Sequence, residues 1–194
     1  MRQLAFVCVI VCCTLIIQGC GRQYSKEPIV VDLPPTYDLH TEQFDPSEPF
    51  TPVPLTLEKM KGQSSYRYNN DHEARDEMLG IDMNWNDSKF DIVYFKNLDV
   101  QMLEQLYINN FLNPEDRQNN SPSVAEIFEF MMLHPQVTAS GYIVSPNRDD
   151  HRVSIDSLAV SEQYVSKRLK KEFEKFCENA DELSLTNDLF SWWD

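Results

Sequence analysis

Glycine is scarce in this chain. Five glycines in 194 residues leave little material for the tight backbone loops that cradle anions. No phosphate-binding loop, nucleophile elbow or zinc motif is found. Positive charge is also short: 17 Lys plus Arg stand against 31 Asp plus Glu, for a formal charge of −14. Nucleic acid and anionic membrane surfaces need positive potential, so neither is expected as a direct ligand. The balance fits a basic protein partner, or simply solubility. No apolar run reaches the roughly 20 residues that span a bilayer. No second histidine stands at ligand spacing from His151, the nearest being His134, and no metal or other cofactor is expected.

What is present begins at the N-terminus. Met1-Arg2-Gln3 carries one positive charge, and Leu4 to Ile17 is apolar apart from Thr14. That is the length of a signal-peptide core. It ends in Ile17-Gln18-Gly19-Cys20, an aliphatic, a variable and a small residue before Cys. This stretch resembles the lipobox of bacterial lipoproteins, with Gln18 bulkier and more polar than the pattern usually shows. The resemblance covers residues 1–20 only. It implies diacylglyceryl transfer to the Cys20 thiol, removal of residues 1–19, and acylation of the new amino group. Two or more acyl chains hold a protein stably to a membrane. The implied location is the bacterial cell envelope. Gly21, where some bacteria place an inner-membrane-retention Asp, implies the outer membrane if the cell has one. A plain secretory signal with an incidental Cys, or an uncleaved anchor, are the alternatives.

Processing would remove Cys8, Cys12 and Cys13 and lipidate Cys20, leaving Cys177 as the single thiol. An internal disulfide is then excluded, and Cys177 is expected as a small buried hydrophobe. Residues 20–54 form the lipidated Cys and an acidic tether. Seven of the eleven prolines fall between Pro28 and Pro54, which removes backbone donors and favours extended, disordered chain. Ile29-Val30-Val31 offers at most a short edge strand.

Residues 55–194 read as one compact α+β domain, a β-hairpin and sheet packed by about three helices. Leu55 to Met60 opens a short helix, and Glu73 to Leu79 gives one or two turns ended by Gly80. Phe90 to Phe95 is β-branched and aromatic, as strands are. Val100, Leu103, Leu106, Tyr107 and Phe111 recur at helical spacing after the potential caps Asn97 and Asp99. Ser123 and Glu126 form a capping box before Val124, Ile127, Phe128 and Met131. Val137–Ser145 and Arg152–Val160 make a hairpin in which Val153, Ile155, Ser157 and Ala159 share the inner face. Ser161 caps a last helix carrying Val165, Leu169, Phe173, Phe176 and Cys177. No element is assigned to the tail from Leu183 to Asp194.

Two clusters could carry function. Asp149, Asp150 and His151 could serve as acid and base, or hold a divalent ion, in a hydrolase. Equally, they could be a solvated hairpin tip, because neighbours on extended chain point to opposite sides. Trp192 and Trp193 either close the core or present a binding anchor. Asn69 to Glu73 lacks the glycine and glutamate spacing of a calcium loop. The run Lys167-Arg168-Leu169-Lys170-Lys171, interrupted by later glutamates, reads as a solvated helix face. The expected function is therefore non-catalytic: a lipid-anchored envelope protein presenting an acidic domain to a protein partner, with a basic partner the one its charge would steer. An immunity-type lipoprotein that blocks a basic toxin is one form of this. The hydrolase and a structural lipoprotein without a discrete site are the alternatives.

Overall fold

The computed structural model describes residues 28–33, 48–62, 66–86 and 90–194. The lipobox, Cys20 and most of the Pro-rich stretch lie outside these. Six strands form one mixed sheet: β1 (Val30–Asp32), β2 (Ile92–Leu98), β3 (Thr138–Val144), β4 (Val153–Val160), β5 (Glu182–Leu185) and β6 (Leu189–Trp192). Their order is β1-β2-β3-β4-β6-β5. β1 runs parallel to β2 and every other neighbour is antiparallel. Among the described residues, five α-helices accompany them: α1 (Pro54–Gly62), α2 (His72–Met78), α3 (Val100–Ile108), α4 (Val124–Leu133) and α5 (Lys167–Phe176). The fold is α+β.

The helices start where side chains can satisfy their free amides. Asp71 accepts from the Ala74 amide and Asp99 from the Met102 amide. Ser123 and Glu126 make the reciprocal capping box, at 3.3 and 2.7 Å. Gly80 ends α2 at φ +61°, the left-handed conformation that glycine adopts most easily. The expected caps at Asn97 and Ser161 are not used. Asn97 sits at φ +63° and hydrogen-bonds Asp32 at 2.5 Å. Ser161 opens only a 3₁₀ turn, Glu162–Tyr164, without a side-chain bond. Val165 is extended there, so α5 begins after the next serine, and Ser166 accepts from the Leu169 amide at 3.1 Å.

Helices α3, α4 and α5 cover one face of the sheet. Leu103, Leu106, Ile127, Met131, Leu169 and Phe173 join Val93, Phe95, Ile143, Ile155, Leu158 and Val160 in one buried cluster. α1 lies over α3, where Thr56 donates to Glu104 at 2.7 Å and Lys59 reaches the Ile108 carbonyl. Cys177 is buried in the same core, and burial pushes its thiol up to about 12.

Three segments differ from the sequence expectations. Ser140 pairs with Ser157 but Gly141 pairs with Ile155, so Asp156 is an extra residue in β4. This bulge shifts the alternation by one place. Leu158 and Val160, rather than Ser157 and Ala159, join Val153 and Ile155 in the core. The tail is not irregular: β5 and β6 form a hairpin that extends the sheet. Within the proline-rich stretch, Val30–Asp32 pairs with β2 as the short edge strand expected, but Leu33 is buried and the Phe50 amide bonds the Met132 carbonyl, so parts of the expected tether belong to the fold.

Opposite the bulge, a Cβ on Gly141 would stand 1.9 Å from the Ser154 carbonyl oxygen. Backbone cannot yield as a flexible side chain does. Gly141→Ala should therefore destabilise toward the upper end of the roughly 1–3 kcal/mol typical of overpacking, read as a lower urea midpoint with an unchanged slope.

Candidate functional site

The hairpin tip places Asp149, Asp150 and His151 in three different environments. Asp150 accepts from Arg148 at 2.7 and 2.8 Å and from Arg152 at 3.2 Å. The hydrogen bonds from Arg148 come first among the causes that hold its carboxyl well below the usual range. Asp149 is exposed. His151 turns away from both, with Nδ1 facing the Arg148 carbonyl at 3.2 Å. Its ring packs edge-on against His72, with centroids 5.3 Å apart, and lies 6.2 Å from Tyr68. No hydrogen bond joins Asp150 to His151, and a carboxylate held by two guanidiniums is a poor proton acceptor. Among the described residues no three His, Cys, Asp or Glu side chains are grouped to ligate a metal.

The tryptophan pair is divided by the sheet. Trp193 is 1% exposed and belongs to the core, closing the fold from the helix side. Trp192 stands opposite Ser157 and is half-buried on the face without helices.

A concavity of about 970 Å³ lies between α2, residues 80–86 and the hairpin tip. Five carboxylates line it, from Asp71, Glu73, Asp76, Glu77 and Asp82, and none of its described lining residues is Lys or Arg. Asn69–Glu73 is a loop and helix start: Asn69 accepts from the Asp71 amide and Asp71 caps α2. The cleft appears only when α2 and Asp82 are brought together. The spacing of Glu73, Asp76 and Glu77 at three and four residues was the available signal.

The floor of this cleft is a buried ion pair. Arg75 is 2% exposed and Asp76 7%. Arg75 Nε donates to Asp76 Oδ1 at 2.8 Å, and the Trp85 indole donates to Oδ2 at 2.5 Å. The Arg75 guanidinium also lies 5.7 Å from the centre of the Trp85 ring. Asn147 ties the hairpin tip to this floor by donating to the Trp85 carbonyl at 2.8 Å. Asp76 is thus internally satisfied. Glu73, Glu77 and Asp82 are exposed and have no partner among the described residues. The cationic run on α5 is engaged locally, with Arg168 on Glu172 at 2.9 Å and Lys170 on the Leu185 carbonyl at 2.5 Å.

No family model, curated protein or solved structure matches the chain.

His72 stands at the lip of the acidic cleft, and burial, then Arg75 and His151, hold its imidazole below the ordinary histidine range. Burial does the same to His134, against the opposing pull of Glu172 at 3.2 Å. Both rings bind protons more readily once unfolded. Their contribution to stability is therefore complete above the unfolded histidine value of about 6.5 and falls as the pH drops below it. The urea midpoint should decline between about pH 7.5 and about pH 5, and a His72→Gln/His134→Gln variant should decline less over that interval. The depressed carboxyl of Asp150 acts in a separate window, lost only below about pH 4.

Proposed function

We propose that this chain is a lipid-anchored protein of the bacterial cell envelope that binds a basic protein partner through the acidic cleft beside α2. The observation that carries the reading is the cleft lining: Glu73, Glu77 and Asp82 are exposed, without a partner among the described residues, around a concavity of about 970 Å³. Carboxylates without internal partners hold their charge for an incoming cation. A cleft between low-dielectric walls focuses that field. On a chain of formal charge −14, the long-range field points the same way and speeds encounter with a basic surface. The buried Arg75–Asp76–Trp85 group gives the cleft a rigid floor, so little ordering cost falls on binding. Anchorage at Cys20 would keep the cleft concentrated at the membrane, where a second weak contact gains from proximity.

Two experiments test the two halves of this reading. The full chain, extracted from membranes in mild detergent, should capture a basic protein at about 50 mM salt and release it at about 500 mM. The Glu73→Lys/Glu77→Lys variant should not retain it. Capture that survives both salt and charge reversal, or capture of acidic proteins alone, would overturn the cleft as the binding site. For the anchor, Cys20→Ser should abolish incorporation of labelled palmitate and move the chain out of the membrane fraction. Lipid labelling that persists in the variant would reject the lipobox.

A further inference from the structure

The sheet face turned away from the helices carries a second, chemically different surface. In register across it stand Val30, Tyr94, Tyr142 and Ser154, and in the next row Ser140, Ser157, Trp192 and Glu182. Between Tyr142 and Trp192 lies a cavity of about 300 Å³, also bounded by Arg152, Asp150 and Asp156. That is the lower size limit of small-ligand sites. Two strand spacings, together about 10 Å, separate the strands carrying Tyr142 and Trp192.

The aromatic platform is held in place before any ligand arrives. The Tyr142 hydroxyl donates to Gln118 at 3.0 Å and accepts from Arg152 at 3.3 Å. The Arg152 guanidinium lies 5.7 Å from the centre of the Tyr142 ring, and the Tyr94 ring is 6.0 Å from it. Asp156 is set at the cavity wall by the bulge, with Oδ1 accepting from Ser157 at 2.9 Å. The charges are close to balanced, with Arg148 and Arg152 against Asp150, Asp156 and Asp194. This near-neutral lining is found on a chain of formal charge −14.

We infer that this face binds a neutral oligosaccharide, with sugar rings laid on Tyr142, Tyr94 and Trp192 and their hydroxyls bonded to Asp150, Asp156 and Arg152. A sugar ring offers apolar C–H edges to an aromatic face, whose negative quadrupole attracts them. Its hydroxyls donate and accept at once, so they need carboxylates and guanidinium groups side by side. Other ligand classes fit less well. An anionic ligand would meet three carboxylates against two guanidiniums, both of which already donate to Asp150. A lipid or an apolar peptide would bury the same charged groups without partners, at a cost of several kcal/mol by general estimates. The inference is independent of the acidic cleft and of the anchor at Cys20.

The test is a glycan array carrying neutral and acidic oligosaccharides, probed with the detergent-extracted full chain. Retained glycans are then titrated by tryptophan fluorescence. One or more neutral glycans should be retained. Trp192→Ala and Tyr94→Ser should each weaken binding at least about tenfold, while Glu73→Lys/Glu77→Lys should leave it unchanged. Tyr94 is 39% exposed, so its replacement keeps the fold and the test decisive even if Trp192→Ala does not fold. Retention of no glycan, retention of acidic glycans alone, or undiminished binding by Tyr94→Ser would each overturn the inference. So would loss of the basic protein partner on Tyr94→Ser, which would make the face a protein interface.

Discussion

The strand register of this protein turns on one extra residue. Asp156 has no partner in β3, and β4 therefore changes phase between Ile155 and Ser157. Without that step, Leu158 and Val160 would face solvent while Ser157 and Ala159 entered the core, because side chains alternate with a period of two. The step also frees the Asp156 carbonyl, which accepts from the Trp193 amide at 2.9 Å. β6 thereby lies alongside β4 with Trp193 inward and Trp192 outward. Gly141 permits the close passage of β3 past Ser154 that this requires. The core on one side and the aromatic face on the other thus both depend on a local irregularity.

Charge is organised by a second rule, in which acids are either locked or left open. Asp76 and Asp150 are locked by arginines, one in the interior and one at the surface. The interior pair is costly to desolvate and is sustained by the third contact from Trp85, which gives the second carboxylate oxygen a donor. Of the open acids, Glu73 and Glu77 are exposed on α2, and Asp82 follows it in the chain. The two kinds alternate along a seven-residue helix, His72–Met78, so one short element provides both the rigid floor and the charged wall.

Much of the architecture could be read from local signals. The capping box at Ser123 and Glu126, the stop at Gly80, the hairpin of β3 and β4 and the apolar stripe of Leu169, Phe173 and Cys177 are each written in adjacent residues. What escaped depended on pairing over distance. Nothing near Asp156 marks it as a bulge; the reason lies in Gly141 on another strand. Leu183, Leu185, Leu189, Ser191 and Trp193 alternate around Thr186-Asn187-Asp188, but the two runs are only four residues each, too short for the alternation to mark strands locally. For the functional clusters, adjacency misled. Asp150 and His151 are neighbours in the chain but face different partners, whereas Glu77 and Asp82 converge across a turn. Trp193 closes the core, while Trp192 lies half-buried on the other side of the sheet.

The parallel strand β1 has a consequence for reach. It seats Val30 beside Tyr94 at the edge of the sheet, and the described fold begins at Pro28. Only seven residues, eight Cα–Cα steps, separate that point from Cys20. Fully extended, such a length spans no more than about 29 Å. With an acyl anchor on Cys20, the leash is short: the β1 edge would hover within a few nanometres of the lipid, and any partner would have to come to the membrane to meet it.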